Sequence, residues 1–147
     1  MVSALFVYGT LECGEVVEAL TGALPRSLDA VAQGYRRGML AERRYPGIVL
    51  DDEAEVVGRV YFDLDDASMA VIDSFEADEY ERREITVECA GPGAIQVYAY
   101  VVDVGYADLV TADPWNLAAF RRLHLDEYVR GCEELRRFEL SKKRDDL

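Results

Sequence analysis

The sequence predicts an α+β domain, in which extended segments come first, helices gather at the end, and no regular βαβ alternation joins them. Three observations carry this expectation. Runs rich in β-branched and aromatic residues recur along residues 4–102, as in "ALFVY" and "EVVGRVYFDL". The turn sequence "AGPG" at 90–93 separates the last two of these runs, as a hairpin would. After Pro114, the apolar residues Leu117, Phe120, Leu123 and Tyr128 fall near helical spacing. The strands are short and numerous for 147 residues, and a small closed or nearly closed barrel would remove their edges.

Taken in order, residues 4–8 form a buried strand that breaks at Gly9 into a polar loop. A short helix covers about 15–20 and is closed by Gly22 and Pro25. Extended segments follow at about 30–39 and 48–50. Residues 55–64 read as a further strand, with Gly58 marking a bulge or a close approach of another backbone. Asp65 or Asp66 can cap a helix that runs to about Phe75 or Glu76. Strands at 84–89 and 95–102 make the hairpin, and residues 141–147, "SKKRDDL", read as a frayed tail. No linker or repeat divides the chain, so it reads as a single domain over 1–147 with a helical C-terminal segment from about 114.

Composition excludes several classes of function. With 29 acidic against 16 basic residues the net charge is -13, and the basic stretches at 36–37, 43–44 and 136–144 are short and read as ordinary surface charge. No basic footprint for nucleic acid emerges. No stretch is long and apolar enough to span a membrane, so no membrane partner is expected. The first residues lack a basic region and a cleavage site, which predicts a cytoplasmic address. Cys13, Cys89 and Cys132 are scattered, His124 is the sole histidine, and no metal-ligand spacing links them. They read as free thiols. The expectation is of no metal and no cofactor.

Two stretches could carry chemistry. In "YGTL" at 8–11, a strand ending on glycine can turn the following N–H groups into one concavity suited to a carboxylate or an oxyanion. The alternative is an ordinary strand-to-loop turn. In "SMAVIDSFEADEYERRE", Met69, Val71, Ile72 and Phe75 form one apolar arc of a helix. One further helical residue puts Glu76 at the edge of that arc, while Asp73 projects outward and Asp78, Glu79 and Glu81 belong to a solvated loop. A carboxylate against apolar walls holds its proton more tightly, as a general base or acid near neutral pH requires. The alternative is that the helix ends before Glu76 and its side chain is simply wet.

Together these stretches resemble the γ-glutamylcyclotransferase-like family, which takes in γ-glutamyl-amine cyclotransferases and avirulence-induced-gene-like proteins. The pieces that carry the resemblance are "FVYGTL", "YPGIVL", "VVGRVYFDL", "IDSFEADEYERREITV" and "VYAYVV", in family order over most of residues 4–102. The segment "DPWNLAAF" is similar to the tail of some relatives. The resemblance implies a small mixed β-barrel surrounded by helices, with a pocket at the YGTL loop. It places the family's catalytic glutamate on Glu76 and its substrate-gripping loop on Tyr8, Gly9, Thr10 and Leu11. It implies cyclisation of a γ-glutamyl-amine or γ-glutamyl-peptide, a small-molecule substrate, to 5-oxoproline and free amine.

That chemistry suits the residue types. The substrate's α-amine must attack its own γ-carbonyl, and one carboxylate between the two nitrogens can take and return the protons. The reaction is intramolecular, so the pocket has chiefly to fold the substrate for attack. Tyr8 could lend its hydroxyl or serve as a core aromatic. Pro46 and Gly47 could line the wall or make a turn, and Arg82 could bind a carboxylate or form a surface ion pair. Trp115 reads as core, and His124 as surface. The rival to the enzyme is a catalytically silent module that binds a small metabolite in the same pocket. The identity of the amine and the oligomeric state are not written in the sequence.

Overall fold

The computed structural model describes residues 3–145, with side chains through 142. Its strands are β1 (Leu5–Val7), β2 (Ser27–Met39), β3 (Pro46–Tyr61), β4 (Tyr80–Cys89) and β5 (Gly93–Val102). They close into a barrel in the order β1-β3-β2-β4-β5. The barrel is mixed: β1 runs parallel to β5, and the other pairs are antiparallel. Helices α1 (Gly14–Thr21), α2 (Asp66–Phe75), α3 (Leu117–Leu123) and α4 (Leu125–Asp145) surround it, giving an α+β fold.

The unbroken apolar run of β1 follows from being covered on both faces. Phe6 and Tyr8 join Val56, Val60 and Val97 inside the barrel, while Leu5 and Val7 join Leu20, Tyr61 and Ile72 beneath the helices. Each such side chain contributes about 1.5–3 kcal/mol by leaving water. A one-residue slip would swap the two sets, so the place where the chain leaves β1 is firmly fixed.

Several element boundaries differ from the sequence expectation. The segments expected at 48–50 and 55–64 belong to one strand, β3, whose register against β2 moves from Gln33–Glu55 to Tyr35–Leu50. Residues 51–54 therefore stand opposite Gly34, whose φ of +85° suits glycine. The bulge lies there and not at Gly58. Gly58 marks the close approach, since a Cβ on it would fall 2.2 Å from the Val7 carbonyl oxygen. Strand β4 begins at Tyr80 rather than at 84, because the charged run "YERRE" pairs with Tyr98–Val102 through its backbone and leaves its charges outside.

Helix α2 starts where its cap predicts: Asp65 accepts the Ser68 N–H at 2.7 Å. The helical C-terminal segment is broken at His124, whose N–H closes on the Phe120 carbonyl. Leu123 consequently faces solvent, whereas Phe120 is buried against Trp115 and Tyr128. The expected fray at 141–147 is helical through Asp145, and its last residues, Asp146 and Leu147, lie outside the described residues. The three cysteines are buried free thiols.

Candidate functional site

The site starts where β1 stops. Gly9 lies against the Pro46 ring, and a Cβ there would come within 2.8 Å of Pro46 Cγ. The chain can pass between β1 and the start of β3 only with hydrogen at that position. It then makes a tight 3₁₀ turn over Thr10–Glu12, held by the Glu12 and Cys13 N–H groups on the Gly9 and Thr10 carbonyls. The N–H groups of Gly9, Thr10 and Leu11 themselves have no hydrogen-bond acceptor among the described residues. They come from three consecutive residues beside a cavity, the arrangement of an anion-binding nest.

That cavity holds about 200 Å³ and is lined by Tyr8, Gly9, Thr10 and Leu11 together with Glu76. Phe6, Pro46 and Tyr100 add to its floor, and Tyr45, Phe75, Tyr80 and Tyr128 to its walls. Tyr8 belongs both to the barrel core and to the cavity, and its hydroxyl donates to the Tyr100 carbonyl at 2.6 Å. Tyr80 donates to the Pro46 carbonyl and so pins the strand start that packs on Gly9. Gly47 has Val102 against it rather than the cavity.

Glu76 arrives by a different route from the one its periodicity suggests. Helix α2 ends at Phe75, and Glu76 is its extended C-cap, with its N–H on the Ile72 carbonyl. The backbone thus turns the side chain into the cavity just as the helix stops. Burial there pushes the Glu76 carboxyl up to about 8, and the nearby negative charge of Asp73 adds to the rise. No hydrogen bond or ion pair holds the carboxylate among the described residues.

Asp73 projects outward as expected, whereas Glu79 does not lie in a solvated loop. Asp73 is outside the cavity lining but not free in solvent. It accepts from the Tyr100 hydroxyl at 2.6 Å and pairs with Arg82 at 3.2 Å, so its charge is fixed one helical turn before Glu76. Arg82 makes this ion pair and lies over the Tyr98 ring, so it is not part of the cavity wall. Glu79, expected in a solvated loop, is 7% exposed. It accepts from Arg43 at 3.1 Å and from the Tyr45 hydroxyl at 3.4 Å. Sequence reasoning missed it because both partners lie more than 30 residues away, at |i−j| of 36 and 34. The alternation of "ADEYE" carries no mark of them. Among the described residues no cluster of three His, Cys, Asp or Glu side chains could hold a metal ion. No described helix is long and apolar enough to cross a membrane.

Comparison with known proteins bears on the family and the fold. Residues 5–117 match the family described as "Gamma-glutamyl cyclotransferase, AIG2-like". The chain belongs to that family. AIG2-like protein D of Arabidopsis thaliana is 28% identical to it, over 89% of this chain and 87% of that protein. A solution structure of another Arabidopsis thaliana protein superposes with a TM-score of 0.67 at 27% identity, covering 95% of this chain and 83% of that one. The crystal structure of an AIG2-like protein from Mus musculus gives 0.64 at 20% identity, over 78% and 85% of the two chains, a likeness of fold alone. The family supports an activity of the γ-glutamyl cyclotransferase type on a small molecule in general terms.

Proposed function

We propose that this protein cyclises a γ-glutamyl-amine or γ-glutamyl-peptide to 5-oxoproline, releasing the amine, with Glu76 carrying the protons. The observation that carries the reading is Glu76 itself, a carboxyl without a partner among the described residues, facing a cavity that is also lined by Gly9, Thr10 and Leu11, whose N–H groups have no acceptor there either. The N–H groups of Gly9, Thr10 and Leu11 take the negative charge of the substrate, first its carboxylate or carbonyl oxygen and then the oxyanion formed on attack.

A peptide α-ammonium has a pKa of roughly 8; the substrate's, with a free carboxylate on the same carbon, holds its proton somewhat more tightly, and burial brings Glu76 up to about 8, within reach of it. A proton therefore passes between them in either direction at little cost. Glu76 takes one proton from the α-ammonium, and the freed amine attacks the γ-carbonyl carbon. The new C–N bond closes the five-membered ring and puts a negative charge on the oxygen. As the oxyanion collapses, the bond to the departing nitrogen breaks, and Glu76 returns its proton to that nitrogen. The second proton of the attacking nitrogen follows by the same carboxylate. Two protons leave one nitrogen and two reach the other, so the amine departs as an ammonium ion and Glu76 is regenerated.

Two neighbours support this role. Asp73, clamped by Tyr100 and Arg82, keeps a negative charge near Glu76 and raises its proton affinity. Tyr8 closes the floor through its bond to the Tyr100 carbonyl. The test is 5-oxoproline release from a panel of γ-glutamyl compounds by the wild type and by Glu76→Gln. General acid–base catalysis is worth about a hundredfold or more, so Glu76→Gln should lose at least that in kcat, over and above the affinity lost with its contact to the α-ammonium. Wild-type turnover in Glu76→Gln would refute the mechanism. Binding of the panel without turnover by the wild type would establish the silent binding module instead.

A further inference from the structure

The walls of the cavity differ from its floor in a way that bears on which amine leaves. Phe6, Tyr8, Leu11 and Tyr100, on the floor with the free N–H groups, are nearly inaccessible, at 1%, 6%, 4% and 5% exposure. Tyr45, Phe75 and Tyr128 are half-buried and form the mouth. They come from three separate elements: the β2–β3 connection, the end of α2, and α4. Phe75 meets Tyr128 edge-on at 6.4 Å between centroids, and Tyr45 leans on Tyr80 at 6.0 Å. An amine leaving from a reaction on the floor departs past these rings.

No lysine, arginine or histidine lines the cavity among the described residues. The arginines around it are engaged elsewhere. Arg37 donates to the Tyr8 and Val57 carbonyls, and Arg82 pairs with Asp73. Arg43 is tied to Glu79 and Arg44 to Glu127, each at 3.1 Å. A leaving group with its own carboxylate would bring a second anion to a site whose N–H groups already serve the glutamyl part. It would find Glu76 and no cation in the lining among the described residues, and desolvating an unpaired carboxylate is costly. An apolar ring would instead find aromatic faces and edges to pack on.

We propose that the leaving amine carries no carboxylate and has an apolar, ring-sized body that packs against Tyr45, Phe75 and Tyr128. This rests on the cyclisation reading above, in that the γ-glutamyl end is taken to occupy the floor. The specificity is a matter of charge as much as of shape. The Arg44–Glu127 pair sits beside the mouth, on residues adjacent to Tyr45 and Tyr128. Its carboxylate is what withholds a guanidinium from an anionic leaving group.

The test compares γ-glutamyl-phenethylamide, γ-glutamyl-phenylalanine and γ-glutamyl-methylamide, the first two differing by one carboxylate. Calorimetry on Glu76→Gln protein measures affinity without turnover. The phenethylamide should bind about tenfold or more tighter than the phenylalanine compound, a difference of about 1.4 kcal/mol. It should bind about three- to tenfold tighter than the methylamide, the usual weight of aromatic contact. In Glu127→Gln, Glu76→Gln protein the freed Arg44 should strengthen binding of the phenylalanine compound several-fold and leave the phenethylamide unchanged. Glu127 is exposed, so this second change leaves the core intact. Equal affinity for the first two compounds, or for the phenethylamide and methylamide, would overturn the proposal. Absence of 5-oxoproline from the wild type would overturn the cyclisation reading and leave the affinity order to decide this one. If none of the three binds, both fall.

Discussion

Replacing Glu76 with Gln should stabilise the protein, and by an amount that depends on pH in a defined window. The folded carboxyl is raised from 4.5 to about 8 because its charged form is buried without a partner. Below pH 4.5 the carboxyl is neutral in the folded and unfolded states alike, and the wild type has no penalty relative to Gln. As pH rises toward 8 the unfolded chain ionises freely while the folded one cannot, so wild-type stability falls. Above about 8 both states are ionised and the deficit is constant. The full displacement corresponds to about 5 kcal/mol at about 1.4 kcal/mol per pH unit. Water entering the open cavity screens the carboxylate, and about 2 kcal/mol is a fair expectation. For a chain of this size that is about 4–8 °C in Tm. Thermal melts of both proteins from pH 4 to 9 read it directly. Equal Tm at pH 9, or a gap that widens toward acid, would show that the carboxyl is not buried as described.

Asp73→Asn removes the fixed charge beside Glu76, so the upper edge of the window in which the Glu76→Gln gap opens should move to lower pH and the full gap should shrink; a 13C titration of the Glu76 carboxyl should show the same downward displacement. Gly9→Ala must push Pro46 aside, and overpacking of this kind costs about 1–3 kcal/mol; chemical denaturation should report it, with weakened ligand affinity accompanying the lost nest geometry. Glu79→Gln breaks the Arg43 pair that anchors the Tyr45 connection, and should lower stability at pH 7 with no change in the titration of Glu76.

The barrel was legible where local pattern and burial coincide. "ALFVY" is apolar at every position because both sides of β1 are covered, and the cap at Asp65 and the Gly22 stop of α1 obey short-range rules. Closure of the sheet was less legible. It depends on the parallel pairing of Leu5 with Tyr98 and on the brief contact of β2 with β4 at Ala30 and Val31, which no local pattern announces. Charged runs misled for the same reason: "DDEA" and "YERRE" read as loops, yet both are strand, with their charges on the outer face. At the site, the YGTL loop and Glu76 could be singled out as candidates. Their convergence on one cavity depends on the end of α2 meeting the end of β1, a tertiary fact. Helical projection brought Glu76 inward for a reason that does not hold, since it is the C-cap and not a further helical residue.

Glu76 and Glu79 make the physical case together. Three residues apart, Glu79 is buried and Glu76 half-buried at the cavity, and their surroundings differ in kind. Glu79 is met by a guanidinium and a phenol, contacts that hold the Tyr45 connection against β4 and account for its burial by structure alone. Glu76 is met by neither. It faces aromatic walls, with the nearest charge on Asp73 of its own sign, and the fold would be more stable without its ionised form. A packing role explains Glu79; it cannot explain a carboxyl whose ionised form weakens the structure that buries it. What it lacks is a cation, and the cavity it faces offers free N–H groups for an anion a short way off. A molecule carrying an ammonium and a carboxylate on one carbon supplies both at once, which is the chemistry of an α-amino acid terminus. On the proposed reading, the glutamate and the amides, both without partners among the described residues, are two halves of one ligand's outline.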